Sequence, residues 1–228
     1  MMQEYVKMKE QYKDCVLMYR VGDFYEMFFD DAKLVSSVLD LVLTGKECGK
    51  EERAPMCGVP FHSVDPYIAR LVAKGYKVAI CEQVEDPALA KGLVKREVIR
   101  IVTPGTVTAG SMLDENRSNY ICSVYYNAKH NRGGIAFCEI STGEFCTAAF
   151  DYAAADHIVN ELGRFSPKEA VLNTDAASSE IIRGFLTNKL SCLVQNLDAS
   201  YEFGRCEKLL CDHCGKKHYG CKCRVERK

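Results

Sequence analysis

The chain has 228 residues, of which 47% are hydrophobic and 27% charged, with 30 Lys and Arg against 31 Asp and Glu. That length suits about two small globular domains; no apolar run approaches a membrane span, and Met1-Met2-Gln3-Glu4 lacks the basic-then-apolar order of a signal peptide, so a cytoplasmic protein with no membrane contact is expected. Thirteen cysteines would suit a disulfide scaffold, but Cys15, Cys57, Cys81, Cys122, Cys138 and Cys146 stand singly inside apolar segments, where a reduced thiol acts as a small hydrophobe.

Residues 2–13 carry Tyr5, Met8 and Tyr12 at helical spacing among Lys and Glu, which predicts an amphipathic helix lying on a sheet. Cys15 to Val21 reads as a strand, and Gly22-Asp23 breaks it before Phe24-Tyr25-Glu26-Met27-Phe28. Residues two apart on an extended backbone share a face, so Phe24 and Glu26 point the same way. An aromatic wedge beside a carboxylate suits a flat, hydrogen-bonding ligand such as a base pair, although by residue type alone a Phe in an apolar run is a core residue more often than a probe. Asp30-Asp31 open a helix with the stripe Leu34, Val35, Val38 and Leu39, the acids at its positive end, and it stops near Asp40.

A strand from Leu41 to Thr44 is expected to lead into the charged surface loop Gly45 to Arg53. The following stretch, Ala54 to His62, holds too much Pro and Gly for a central strand. Asp65-Pro66 start a helix that buries Ile68, Leu71 and Val72 and stops at Gly75, and Lys77 to Val84 is a strand. Residues 91–100 set four cations and one acid at alternating positions, as either a solvated strand face or an edge that tracks phosphates.

The polar segment 114–119 reads as a linker. Beyond it, Tyr120 to Asn127, Gly134 to Ile140 and Gly143 to Phe150 predict an antiparallel meander, and helices at 152–164 and 177–189 alternate with strands near 169–172 and 192–197. Three strands followed by alternating helix and strand predict a ribonuclease-H-like α/β domain. Nucleases of that fold need several carboxylates to hold metal ions, one of them in the first strand. Here that strand has no acid and Glu139 stands alone in the next, so a binding protein, not an enzyme, is expected, with no cofactor. A Gly-x4-Gly-Lys-Ser/Thr phosphate loop is likewise missing from the sequence.

Several stretches occur in a specific order: Gly22-Asp23-Phe24-Tyr25-Glu26, Asp30-Asp31-Ala32, Pro55-Met56-Cys57-Gly58-Val59-Pro60, Ala79-Ile80-Cys81-Glu82-Gln83, Asp86-Pro87, and Arg100 to Thr106. In these the chain resembles the N-terminal part of the bacterial DNA mismatch-repair family MutS, as far as about residue 204. The resemblance implies a mixed α/β architecture: a mismatch-binding domain with a mixed sheet flanked by helices over residues 1–113, the linker 114–119, and an incomplete ribonuclease-H-like connector domain over 120–204. It implies that Phe24 and Glu26 are the family's Phe-x-Glu reader. The Phe would wedge into the minor groove against a mispaired or unpaired base while the Glu hydrogen-bonds that base. Lys46 and Arg96 fall where the family places cations that contact the DNA backbone, with Lys46 standing where Arg is usual.

The implied partners are double-stranded DNA carrying a mismatch or small loop and downstream repair proteins that meet the connector domain; a protein-interaction module with little DNA binding of its own is the other reading. A carboxylate beside a polyanion should be repelled, so Glu26 either accepts from a base donor or takes up a proton near the phosphates. The family is a dimeric ATPase around DNA. Without the parts that dimerise, clamp and hydrolyse ATP, this chain alone is expected to be monomeric, to bind DNA weakly and to discriminate mismatches poorly.

From Arg205 the composition changes, with eight cations against three acids and five of the 13 cysteines. Residues 205–228 therefore read as a divergent, unstructured tail, expected to come from a truncated gene read partly out of frame. The other reading is a zinc site from Cys211, Cys214, Cys221 and Cys223, with His213 and His218 nearby. Its first pair has a suitable spacing, its second is tight, and few apolar residues are available to pack around a metal.

Overall fold

The computed structural model describes residues 1–48, 53–85, 92–107 and 118–214. They fall into two compact units, one within residues 1–104 and one that takes in 105–107 and 118–214. No helix among the described residues is long and apolar enough to cross a membrane.

The first unit runs α1 (Met2–Gln11), β1 (Cys15–Val21), β2 (Phe24–Phe28), α2 (Phe29–Leu39), β3 (Thr44–Lys46), β4 (Ala54–Pro60), α3 (Asp65–Ala73), β5 (Lys77–Gln83) and β6 (Arg96–Val102). Its six-stranded sheet has the order β3-β4-β2-β1-β5-β6, mixed because β1 and β5 run parallel while the other pairs are antiparallel. Period-two alternation sends Cys15, Leu17, Tyr19 and Phe28 to one face, under α1. There Tyr5 meets Tyr19 and Phe28 edge-on, with ring centroids 5.5 and 4.9 Å apart. The opposite face packs against α2, where the Cys57 thiol lies 3.5 Å from the Ala32 carbonyl oxygen, and α3 packs beside α2.

Two expectations change here. The strand predicted at Leu41 to Thr44 lies later, because Thr44, Gly45 and Lys46 pair with Met56, Pro55 and Ala54 while Val42 and Leu43 stay exposed. Lys46 is therefore a sheet residue and not a loop residue. The stretch judged too rich in Pro and Gly for a central strand is β4, between β3 and β2. Met56 is the one β4 residue with strand partners on both sides; Pro55 pairs with β3 alone and Pro60 with β2 alone, so each proline sits where one side of the strand has no ladder to lose.

Asp31 does more than face the helix dipole. On the β2 side, β1 is paired only through Tyr19, Arg20 and Val21, so the Leu17 amide needs another acceptor. Asp31 Oδ2 supplies it at 3.0 Å, accepts from the Tyr5 hydroxyl at 3.3 Å, and Oδ1 pairs with Lys9 Nζ at 2.9 Å. The buried residues of α2 are accordingly Asp31, Ala32, Val35 and Leu39, with the expected Leu34 and Val38 only half-buried. Burial, then the nearby Asp31 charge, pushes the Tyr5 phenol far above its ordinary range.

The second unit runs β7 (Tyr120–Asn127), β8 (Arg132–Glu139), β9 (Glu144–Phe150), α4 (Ala154–Phe165), β10 (Glu169–Leu172), α5 (Thr174–Ser178), α6 (Glu180–Gly184), β11 (Leu193–Asn196) and α7 (Phe203–Cys214). The sheet order is β11-β10-β7-β8-β9: the meander is antiparallel, and β10 and β11 add in parallel on its other side, the ribonuclease-H-like arrangement. Ile158, Leu162, Ile182 and Leu186 fill the core against Val124, Phe137 and Leu172. The single helix expected at 177–189 is instead α5, α6 and a π-helical turn at Phe185–Lys189, because Asn173 and then Ser179 each accept an amide and start a new segment. Its buried carboxylates serve structure: Glu169 accepts from the Gly105 amide at 3.1 Å, and Glu139 from the Asn119 amide at 2.9 Å and the Thr142 hydroxyl at 3.0 Å. Residues 203–214 form α7, so 205–214 are helical where the change in charge predicts an unstructured tail; Phe203, Cys206 and Leu210 stand at helical spacing.

Among the described residues, the buried cysteines Cys15, Cys57, Cys81, Cys122 and Cys192 behave as apolar packing. Burial raises the thiols of Cys15 and Cys57 to about 11 and of Cys81 and Cys192 to about 12. As pH rises past the ordinary thiol range, the unfolded chain loses these protons before the folded one does, so stability falls from about pH 9 upward. Brief iodoacetamide treatment at pH 8 with peptide mass spectrometry is expected to spare Cys15, Cys57, Cys81 and Cys192 until urea is added; equal labelling in native buffer would contradict this packing.

Candidate nucleic-acid interface

The site grows from the β1–β2 hairpin. Val21 pairs with Phe24, so Gly22 and Asp23 make a two-residue turn. Gly22 takes φ +56°, the positive value needed at the first turn position of a type II′ hairpin. Phe24, Glu26 and Phe28 then share one face of the sheet, but their fates differ. Phe28 is 1% exposed beneath α1, whereas Phe24, farther toward the turn, is 47% exposed. The expectation from residue type, a core Phe, does not hold at this position.

The opposite side of the hairpin is braced. The Arg20 guanidinium lies 3.4 Å from the centroid of the Phe61 ring and 3.6 Å from Glu82, and the Tyr25 hydroxyl donates to the same Glu82. Burial, then the Glu82 hydrogen bond, holds the Tyr25 phenol protonated far above its usual range. The Phe61 amide donates to the Asp23 carbonyl at 3.0 Å, tying the turn to the end of β4. An aromatic side chain carried on so short a turn is thus held by contacts behind it, not by cover in front.

On the face of Phe24, three of the predicted site residues have named partners. Glu26 forms an ion pair with Lys46, which reaches it across β4. The β4 residue directly opposite Glu26 is Gly58, where a Cβ would already stand 3.7 Å from Glu26 Cγ and 3.9 Å from Phe24 Cδ1. The nearest atom to such a Cβ is the Tyr25 carbonyl oxygen at 3.3 Å, so a side chain here would crowd the backbone of β2 and lie against Glu26 and Phe24. Lys46 Nζ also lies 5.7 Å from the centroid of the Phe28 ring. Arg96 is committed differently: Nε donates to the Arg20 carbonyl at 2.7 Å, Nη1 to the Val94 carbonyl at 2.8 Å, and its guanidinium lies 5.0 Å from the Tyr19 ring centroid. It fastens the start of β6 to the end of β1, beside the hairpin. The structure therefore joins Phe24, Glu26 and Lys46 in one patch, with Arg96 toward the other edge of the sheet.

Sequence reasoning missed Gly58, Arg20, Tyr25, Glu82 and Phe61. Gly58 lay within a quoted motif, but nothing in a single chain says that it faces Glu26. Along β6, Lys95 pairs with Glu97 at 2.6 Å, so the run of cations is not a uniform positive edge. Among the described residues no group of three or more His, Cys, Asp and Glu is placed to hold a metal. Of the cysteines weighed as zinc ligands, Cys211 and Cys214 lie on α7, while Cys221 and Cys223, with residues 215–228, fall outside the described residues.

Residues 1–111 match the family model described as MutS domain I, and residues 119–222 that described as MutS domain II. The chain belongs to the MutS family. The domain II match runs past Arg205, where the sequence reading placed the departure from MutS, and so takes in α7. The chain is 54% identical over 202 residues to the DNA mismatch repair protein MutS of Acetivibrio thermocellus, covering 88% of this chain and 23% of that one. With the MutS proteins of Ruminiclostridium cellulolyticum and Clostridium perfringens it shares 50% over 219 residues and 48% over 217, covering 95% of this chain and 25% and 24% of theirs. It thus spans about a quarter of the length of the MutS relatives it matches.

Proposed function

We propose that this chain is the DNA-reading portion of a mismatch-repair protein, in which the first unit meets double-stranded DNA through the face of Phe24 and Glu26. The observation that carries the reading is Phe24, a large ring half exposed on a braced hairpin, with a carboxylate two residues on along the same face. A ring so placed can enter a base step. Unstacking ordinary duplex costs a few kcal/mol per step, and a mispaired or unpaired base is already poorly stacked, so insertion selects the defect through its deformability. Glu26 then accepts a hydrogen bond from the exposed base, and Arg96 adds positive charge at the flank. The named relatives are DNA mismatch repair proteins, which agrees with this use of the face.

Under the same reading the second unit offers its surface to downstream repair proteins. The chain by itself acts as a monomer that binds DNA without a catalytic step, and ATP hydrolysis belongs to parts of the longer relatives that it does not match. Fluorescence anisotropy at low salt, with one duplex carrying an unpaired thymine and its fully paired control, tests the proposal. Tighter binding of the defective duplex, weakening with added salt, is the expected result. Equal binding of the two would remove the reading.

A further inference from the structure

The Glu26–Lys46 pair bears on how a carboxylate can work against a polyanion, a question that sits inside the proposed reading of this face. Both partners are partly sheltered, with side chains 14% and 28% exposed, and they meet across β4, on which Gly58 lies opposite Glu26 and Ala54 opposite Lys46. Neighbouring strands stand about 4.8 Å apart, so bridging diagonally from β3 to β2 across β4 needs a long, flexible cation. Lys46 meets that need, with Nζ 5.7 Å from the centroid of the Phe28 ring. Lys46 engages Oε2, while Oε1 of Glu26 has no hydrogen-bond partner among the described residues.

We infer that Lys46 is a specificity-determining positioning residue: it neutralises and aims the Glu26 carboxylate for a base edge, instead of tracking a DNA phosphate. The pair as a whole is neutral, so it approaches the duplex without the repulsion that a lone carboxylate would meet, and one oxygen stays available to accept from a base. A Lys46 that left for a phosphate would strand a half-buried carboxylate facing the DNA. The inference rests on the reading of Phe24 and Glu26 as the defect-sensing pair, and it lets the carboxylate accept from a base with its charge already offset by Lys46.

A double-mutant cycle separates the two roles. Wild type, Lys46→Gln, Lys46→Arg, Glu26→Gln and the Glu26→Gln/Lys46→Gln double variant are titrated into the duplex with an unpaired thymine and its paired control at several salt concentrations, after circular dichroism confirms folding. Lys46→Gln is expected to weaken defect binding about tenfold when Glu26 is present and less than about twofold when residue 26 is Gln, with Lys46→Arg close to wild type. A phosphate contact would instead weaken both duplexes alike in both backgrounds and lower the salt slope by about one, which would overturn the inference. Substitutions of Lys46 without effect would overturn it as well. If Glu26→Gln and Phe24→Ala also leave binding unchanged, or wild type binds neither duplex, the reading of the whole face has failed; if Glu26→Gln matters and no coupling to Lys46 appears, only the role of Lys46 has.

Discussion

Phe24→Ala is expected to erase the preference for a duplex with an unpaired base and to leave the protein as stable as wild type to within about 0.5 kcal/mol. The two halves of that result come from one fact, the 47% exposure of the ring. A half-exposed Phe at the end of a strand loses little packing on truncation, whereas a fully buried Phe replaced by Ala costs about 3–5 kcal/mol. Stacking of a base on an aromatic ring is worth about 1–3 kcal/mol, so removing the ring should reduce defect binding by roughly 5- to 150-fold and bring it near that of paired DNA. Anisotropy gives the first quantity and urea denaturation the second. A large loss of stability with an unchanged ratio of affinities would return Phe24 to the core and remove it from the reading face.

Asp31→Ala should be a strongly damaging change in the first unit, although it removes no large apolar side chain. The carboxylate lies 7% exposed, where it accepts the Leu17 amide and the Tyr5 hydroxyl and pairs with Lys9. Truncation leaves the Leu17 amide without this acceptor and the Tyr5 hydroxyl with only the Phe28 carbonyl oxygen, 3.5 Å away. It also removes the counter-charge of the Lys9 ammonium, which keeps the Cys15 carbonyl as acceptor and reaches water because its side chain is 29% exposed, so the charge contributes less than it would in a closed core. A loss of about 3 kcal/mol is expected, within the range for breaking a buried hydrogen-bonded charge. Asp31→Asn, which keeps one acceptor, should lose less. Urea denaturation followed by the signals of the first unit measures this, with the second unit's transition unmoved as the internal control; an Asp31→Ala chain as stable as wild type would mean that β1 finds another acceptor.

The legible part of this molecule was the part governed by neighbours along the chain. The β1 and β10 bounds, the meander, the helix starting at Asp65-Pro66 and the shared face of Phe24 and Glu26 follow from period-two and period-3.6 patterns. Errors arose where pairing partners decide. Val42 and Leu43 look like strand residues, yet the pairing edge of β4 takes Thr44 to Lys46 instead. Pro and Gly argued against a central β4, but its two prolines fall where a flanking strand is missing. The broken helix at 174–189 turned on Ser179, a cap that is also an ordinary polar helix residue when seen in sequence alone.

For the candidate site, sequence determined which chemical groups are on offer and that Phe24 and Glu26 point one way, because backbone geometry alone imposes that alternation. The motifs also carried the family, since their order along the chain needs no coordinates to be recognised. Only the tertiary structure decided which groups meet. Lys46 is 20 residues from Glu26 in sequence and reaches it because β4 folds between them, paired with β3 on one side and β2 on the other. Arg96 meets the Arg20 carbonyl, 76 residues away in sequence, only because the sheet brings the start of β6 near the end of β1. Phe24 is exposed while Phe28, on the same face, is buried, because α1 covers one end of that face and not the other. Coverage and charge pairing depend on distances between segments remote in sequence, and those distances are set when the sheet closes.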